Sequence, residues 1–265
     1  MRKSVIDLHA LHARGEKIAM LTCYDSSFAR VLENAGVDVV LVGDSLGMVV
    51  QGHDSPLPVS VEDVAYHTRC VVRGSQNVFI LADMPFGSSQ ITPQETFRNA
   101  AELMRAGAQM VKIEGGSEMV PTVEFLVSRG IPVCAHVGLT PQSVHQVGGF
   151  KVQGRDEAAA ERIIAAARAL QAAGASMLLM EAVPRALADR LCDAVTIPTI
   201  GIGASPRCSG QVLVIYDMLG LGAYIPPRFV RPFIKETGSI LEAVKLYVAE
   251  VKAGRFPGPE HCYSS

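Results

Sequence analysis

Short apolar runs recur along this chain, and each one ends on a polar side chain or a glycine. Val37 to Val42 is broken only by Asp38 and runs into Gly43-Asp44-Ser45. Ile18 to Cys23 precedes it. Val78 to Ala82, Met110 to Ile113, Ile131 to Ala135, Ser176 to Met180 and Ile197 to Ile200 follow. Runs this short, nearly continuous and rich in β-branched residues read as strands buried on both faces, as in a parallel sheet. The Met218-Leu219-Gly220-Leu221 region is the expected eighth strand.

Helical patterns separate the runs. Residues 5–15 form a short one, with Ile6, Leu8 and Leu11 apolar, and Ser26 to Asn34 is stopped by Ala35-Gly36. Val61 to Val72 has Ser60 as N-cap, and Pro93 to Arg105 has Thr92 before it and Gly107 after it; these are ordinary helix start and stop signals. Glu118 to Ser128, the Ala-rich Asp156 to Ala173, Pro184 to Asp193 and the amphipathic Thr237 to Ala253 complete the set, with one more helix expected from near Ser209. Eight strands alternating with helices predict a (β/α)8 barrel. An open, doubly wound sheet has the same alternation, but no G-x-G-x-x-G follows the first strand, which argues against a dinucleotide fold. No shift in composition divides the chain, so 1–265 reads as a single barrel domain with an N-terminal helix and an extended C-terminal helix. Residues 138–154 form a long Gly, Gln and Ser-containing connection; loops beyond about 12–15 residues are often functional.

With 265 residues, 49% of them hydrophobic, the chain can bury a large core. Lacking Trp, it must build that core mostly from Val, Ile, Leu, Ala and Met. A net charge of -2 without a basic patch argues against nucleic acid as a partner. No apolar stretch reaches the roughly 18 residues that span a bilayer, and no signal peptide is expected at the N-terminus. None of the six cysteines falls in a C-x-x-C pair, so neither a zinc site nor a redox pair is suggested. A reducing, cytoplasmic compartment fits.

Polar residues gather at the ends of the runs. Asp44 and Ser45 follow the second strand, Asp83 the third, Glu114 the fourth, His136 the fifth and Glu181 the sixth. Lys112, two residues before Glu114, shares its face. In a barrel all these ends meet at the C-terminal rim, where active sites lie. Each residue alone has an ordinary structural reading: a turn acid, an ion-pair partner, a satisfied buried histidine. Together they are harder to dismiss, because charged side chains are seldom buried without partners. Several carboxylates brought together repel unless a cation or a proton compensates them. Oxygen ligands from Asp and Glu suit a hard ion such as Mg2+; without His or Cys pairing, zinc suits less well.

The blocks Leu41-Val-Gly-Asp-Ser-Leu-Gly-Met48, Asp83-Met-Pro-Phe86, Val111-Lys-Ile-Glu-Gly-Gly116, His136-Val-Gly-Leu-Thr-Pro-Gln-Ser143 and Ile200-Gly-Ile-Gly-Ala204 resemble those of the ketopantoate (3-methyl-2-oxobutanoate) hydroxymethyltransferase family. So do Gly210-Gln-Val-Leu-Val214 and Phe256-Pro-Gly-Pro-Glu-His261, and the likeness runs in order from about residue 5 to 263. The resemblance implies a barrel of the phosphoenolpyruvate/pyruvate type, one Mg2+ ion per subunit and 5,10-methylenetetrahydrofolate as co-substrate. It also implies the first committed step toward pantothenate and a homodecamer with exchanged C-terminal helices. By position, Asp44, Asp83 and Glu114 match the family's metal-site acids, some of them acting through water. Asp44, Ser45, Asp83 and Lys112 match positions around the substrate, Glu181 matches the proton acceptor, and His136 is expected to shape the pocket or relay a proton. Ser205, Ser209 and Tyr216 depart from the family pattern but lie off the site positions. The apolar neighbours of Glu181, Met177 to Met180 and Ala182-Val183, are expected to raise its basicity by desolvation. Two alternatives remain at this level: a Mg2+-dependent 2-oxo acid lyase or mutase on the same barrel, for which Cys134 is the nearest general acid, and a non-catalytic metabolite-binding barrel.

Overall fold

The computed structural model describes residues 2–222 and 226–264. Strands β1 (Ile18–Thr22), β2 (Val39–Val42), β3 (Phe79–Asp83), β4 (Met110–Glu114), β5 (Val133–Gly138), β6 (Met177–Glu181), β7 (Thr199–Ile202) and β8 (Gly210–Leu213) lie side by side in sequence order. All pair in parallel, and β8 returns to β1, which closes the barrel and rules out the open sheet. Around it run α2 (Ser26–Asn34), α4 (Val61–Gly74), α5 (Pro93–Ala106), α6 (Val120–Val127), α8 (Glu157–Ala172), α9 (Arg185–Ala194) and α11 (Ile240–Lys252), with α1 (Val5–Ala13) beneath. Short helices α3 (Leu46–Val49), α7 (Val144–Val147) and α10 (Ile215–Met218) sit in the connections.

Alternation along the strands sorts the interior into layers. Residues two apart point the same way, so Phe79, Leu81 and Asp83 share a face, as do Met110, Lys112 and Glu114. Cys134 and His136 form another such set, and Met177, Leu179 and Glu181 a fourth. The first members of each set pack with Ile18, Met20, Val39, Leu41, Ile200 and Val212 in a dry core on the axis. The last members are charged and form the upper layer. Leu8 of α1 is fully buried in the same axial core and plugs its lower end. Its helix is fixed there by a capping box between Ser4 and Asp7, and His9 Nε2 lies 2.8 Å from the Ser176 carbonyl.

Two elements differ from the sequence expectation. The eighth strand is Gly210–Leu213, not the Met218–Leu221 region, whose first residue ends α10, and no helix begins at Ser209. The alternation breaks here because β7 and β8 are joined by 203–209 alone. A four-residue strand is about 13 Å long at ~3.3 Å per residue. Residues 203–209 can reach back over more than about 20 Å when extended, so the return needs no helix. Gly210 permits the close pairing: a Cβ there would sit 2.3 Å from the Ile18 carbonyl oxygen. The long connection 138–154 is partly ordered, as a turn at Pro141–Ser143 leading into α7. The final helix starts at Ile240, after a separate turn at Phe233–Glu236.

The apolar stripe of α11 is covered largely by this chain's own barrel. Val244, Tyr247 and Val251 are buried, and the Tyr247 hydroxyl lies 2.8 Å and 2.9 Å from the Met20 and Gln211 carbonyl oxygens. Ile240, at the start of the helix, stays exposed. An exchange of this helix between copies would replace these contacts with identical ones. Among the described residues no helix is long and apolar enough to cross a membrane.

The plug makes a direct prediction. Truncating a fully buried leucine costs about 2–5 kcal/mol, so Leu8→Ala should lower the unfolding free energy obtained from a urea titration by that amount. A loss below about 1 kcal/mol would mean that α1 merely rests against the barrel.

Candidate active site

Each expected site residue is carried to the rim by the end of a strand. Asp83, Lys112, Glu114, His136 and Glu181 lie within β3 to β6, and the pairing registers set Asp83 beside Lys112, Glu114 beside His136 and Glu181 beside Gly138. Asp44 and Ser45 follow β2 in the turn into α3. All seven line one cavity of about 670 Å3 at the barrel mouth, a size common for small-molecule sites. On the far side of Glu114 and Gln142 a wider groove of about 1290 Å3 opens, bordered by Phe86, Gln90, Thr140 and Arg162.

Lys112 is the hub. Its Nζ lies 2.9 Å from Asp83 Oδ1, 3.2 Å from Glu114 Oε1 and 3.2 Å from His136 Nδ1. Asp83 Oδ2 accepts the Asp44 N–H at 3.1 Å. The imidazole spans two acids, with Nδ1 3.4 Å from Glu114 Oε1 and Nε2 3.4 Å from Glu181 Oε2. Ser45 Oγ lies 2.9 Å from the hydroxyl of the buried Tyr24. Glu181 is less enclosed than the others, and its carboxylate faces the cavity.

The backbone around Glu181 is unusual. Ala182 adopts a φ of 44°, a conformation costly for any residue with a Cβ, and turns the chain sharply after the acid. Opposite it, Gly138 has a φ of 92°, and a Cβ there would lie 2.4 Å from the Glu181 carbonyl oxygen. Leu139 N–H donates to that same oxygen at 2.9 Å. Glu181 is thus held by backbone contacts from the connection after β5.

The electrostatics follow from the charge count. Among the described residues three buried carboxylates face one ammonium, which leaves about two negative charges uncompensated. Burial, together with the charges of Asp83 and Glu114, pushes the Asp44 carboxyl well above the usual range. Burial pushes Asp83 up too, and Lys112 offsets this only in part. Burial also opposes the charge on Glu114, but Lys112 and His136 outweigh it and hold this carboxyl at about 2. Lys112 stays firmly protonated: burial works against its charge, and Asp83, Glu114 and Asp44 overcome that. Burial and Lys112 disfavour a proton on His136, and Glu114 and Glu181 more than restore it.

This donor set fits a magnesium ion. Burial first, then neighbouring carboxylates, raise the carboxyls of Asp44 and Asp83, and a divalent cation beside them would favour their charged forms. Asp83 Oδ1 is buried and receives no well-directed hydrogen bond from the described residues, although Lys112 is close. Among the described residues no three His, Cys, Asp or Glu side chains form a ready cage. Mg2+ needs none, since it is usually held by one or two carboxylates with waters and substrate oxygens.

Sequence reasoning missed two participants. Gln142 donates from Nε2 to Asp44 Oδ2 at 2.8 Å and from its backbone N–H to Glu114 Oε2 at 3.0 Å. Tyr24 orients Ser45. The length of the 138–154 connection and the family-like block His136–Ser143 were the signals for the first, and nothing in the residue types pointed to the second. The departures Ser205, Ser209 and Tyr216 line neither cavity. Ser205 Oγ donates to Asp189, Ser209 Oγ lies 2.8 Å from His12 Nδ1, and Tyr216 packs against Tyr24 and Phe28. Cys134 lies in the dry axial core, and burial pushes its thiol up to about 12, so it is no general acid at the rim.

The closed parallel barrel has the same fold as solved barrels of the phosphoenolpyruvate mutase/isocitrate lyase superfamily. A 2,3-dimethylmalate lyase of that superfamily superposes with a TM-score of 0.63 at 17% identity, over 90% of each chain. A phosphonopyruvate hydrolase in complex with oxalate and Mg2+ superposes with a TM-score of 0.62 at 13% identity, over 91% of this chain and 90% of that one. The sequence narrows the class: residues 2–259 match the model of the ketopantoate hydroxymethyltransferase family. The 3-methyl-2-oxobutanoate hydroxymethyltransferase of Nitrosospira multiformis is 62% identical over 94% of this chain and 95% of its own. That of Methylobacillus flagellatus is 60% identical over 98% and 99%. The chain belongs to the ketopantoate hydroxymethyltransferase family and is an enzyme.

Proposed function

We propose that the chain transfers a hydroxymethyl group from 5,10-methylenetetrahydrofolate to 3-methyl-2-oxobutanoate, giving 2-dehydropantoate, the first step toward pantothenate. One observation carries this reading within the family: Glu181, a base at the cavity wall, faces the same space as Lys112 and the undercompensated acids. Asp44, Asp83 and Glu114 would hold Mg2+, some of them through water; the Mg2+ and oxalate of the related-fold hydrolase support this. When bound, the ion polarises the 2-oxo group and makes the neighbouring C–H more acidic.

The residues then divide the work. Lys112 pairs with the substrate carboxylate; its contacts to Glu114 and His136, at 3.2 Å, are longer than that to Asp83 and give way more readily. Ser45, steadied by Tyr24, donates to the same carboxylate. Glu181 takes the C3 proton, leaving an enolate. A bond forms between C3 and the one-carbon unit, water supplies the hydroxyl oxygen, both carbon–nitrogen bonds to the folate break, and its two nitrogens take up the C3 proton and one proton of the water as tetrahydrofolate leaves. His136 Nε2 faces the Glu181 carboxylate and steadies it or passes its proton on. Six free cysteines support a reducing, cytoplasmic setting.

The experiment is exchange of the C3 proton of 3-methyl-2-oxobutanoate in deuterated water, followed by NMR in the presence of Mg2+. Proton transfer by a placed side chain contributes roughly 10²–10⁴-fold. Glu181→Gln keeps the size of the side chain and should slow exchange by about that factor. Equal rates with substrate still bound would remove Glu181 as the base and point to His136. Family resemblance also supports a homodecamer, for which light scattering at micromolar concentration should give ten times the chain mass. A monomer would contradict it.

A further inference from the structure

We propose that Gln142 is the positioning residue that aims the carboxylate of Asp44 at the bound cation while holding that of Glu114 against Lys112, a reading that rests on the proposed metal site. Gln142 sits in the turn Pro141–Ser143 and is 5% exposed. Its Nε2 donates to Asp44 Oδ2 and to the Met84 carbonyl, both at 2.8 Å, and its backbone N–H donates to Glu114 Oε2 at 3.0 Å. Its Oε1 accepts from Gln90 Nε2 at 3.0 Å.

The direction of every bond is fixed. Gln90 Oε1 accepts the backbone N–H groups of Gly87 and Ser89, at 2.8 and 3.2 Å, so the other end of that amide must be its NH2. The NH2 of Gln90 can only donate, which makes the facing atom of Gln142 its oxygen and turns its own NH2 toward Asp44 and Met84. Backbone geometry after β3 is thereby transmitted through two amides to a carboxylate at the end of β2.

A neutral donor is the chemistry this place requires. Gln142 ties down Oδ2 of Asp44 and Oε2 of Glu114, while the Asp44 N–H ties down Oδ2 of Asp83. The opposite oxygen of Asp44 is left for a cation, while that of Asp83 faces Lys112 Nζ at 2.9 Å. A lysine or arginine at 142 would orient Asp44 equally well but would neutralise the charge that draws the cation in. An amide gives direction and leaves the charge intact. Partners of this kind around a metal site typically change metal affinity 10–100-fold when removed.

The test is Mn2+ binding followed by electron paramagnetic resonance on the full-length protein without substrate, alongside thermal unfolding in the absence of metal. Gln142→Met fills the space but cannot donate. Gln142→Asn keeps the backbone N–H to Glu114 but withdraws the amide from Asp44. Both should weaken Mn2+ binding 10–100-fold. Gln90→Met, which removes the contact to Gln142 Oε1 and the acceptor for the Gly87 and Ser89 N–H groups but leaves the donor to Asp44 in place, should change it less than threefold. A role confined to pinning the loop predicts that Gln90→Met matches Gln142→Met, or that Gln142→Met lowers the unfolding midpoint with Mn2+ affinity unchanged; either result overturns the proposal. Failure of the wild type to bind Mn2+ would overturn the metal site itself, and this role with it.

Discussion

A buried ammonium among acids orders the upper layer of this barrel. Moving an ion out of water costs several kcal/mol even after the protein relaxes, and a lone charge at the position of Lys112 would not survive as a charge. Asp83 and Glu114 stabilise it there, and His136 completes its shell. The arrangement is asymmetric, because Asp44 shares the space without a cation of its own. Structure and chemistry therefore meet in a single imbalance: the network is strong enough to hold five side chains in place and still lacks positive charge. Natural proteins commonly accept some loss of stability at sites that must bind or react.

The barrel makes this imbalance possible. Each strand from β3 to β6 places apolar side chains on the axis below and charged ones above, two residues apart. Leu8 closes the lower end of the axial core. The acids therefore stand on an apolar floor, open to the cavity at the mouth and, at Glu114, to the groove beyond, and in such partly enclosed surroundings electrostatic interactions are stronger than in bulk water. The connection after β5 forms the lid of this arrangement. It supplies Gln142 to the acids, and its first residues hold the Glu181 carbonyl through Gly138 and Leu139. One segment thus acts on both the cation side and the base side of the cavity.

Much of this was legible in the sequence, for an identifiable reason. A charged residue two places beyond an apolar one, at the end of a short run, marks a strand whose tip reaches a polar space. Asp83, Lys112, His136 and Glu181 carry that signature, and Glu114 extends it from Lys112. β8 did not, because the alternation of strand and helix fails where two four-residue strands need only a short return. The true strand, Gly210–Leu213, lay instead within one of the blocks shared with the family. Gln142 and Tyr24 were invisible for a different reason: a neutral amide and a phenol carry no charge pattern, and their importance comes from which long-range partners the fold supplies. Apolar spacing marked the stripe of α11, but only the structure shows that Val244, Tyr247 and Val251 are satisfied within the same chain.

The central claim is that Asp44 is held against its neighbours for the sake of a cation. Thermal unfolding of Asp44→Asn, with and without Mg2+, tests it most directly, because a ligand that binds only the folded state raises the midpoint by an amount that grows with the logarithm of its concentration over its dissociation constant. Asn keeps the acceptor for Gln142 and removes the charge. The account predicts that the metal-free variant unfolds at or above the wild-type midpoint, and that the upward shift Mg2+ gives the wild type disappears. A variant several degrees less stable without metal, or one that Mg2+ stabilises as much as the wild type, would contradict it.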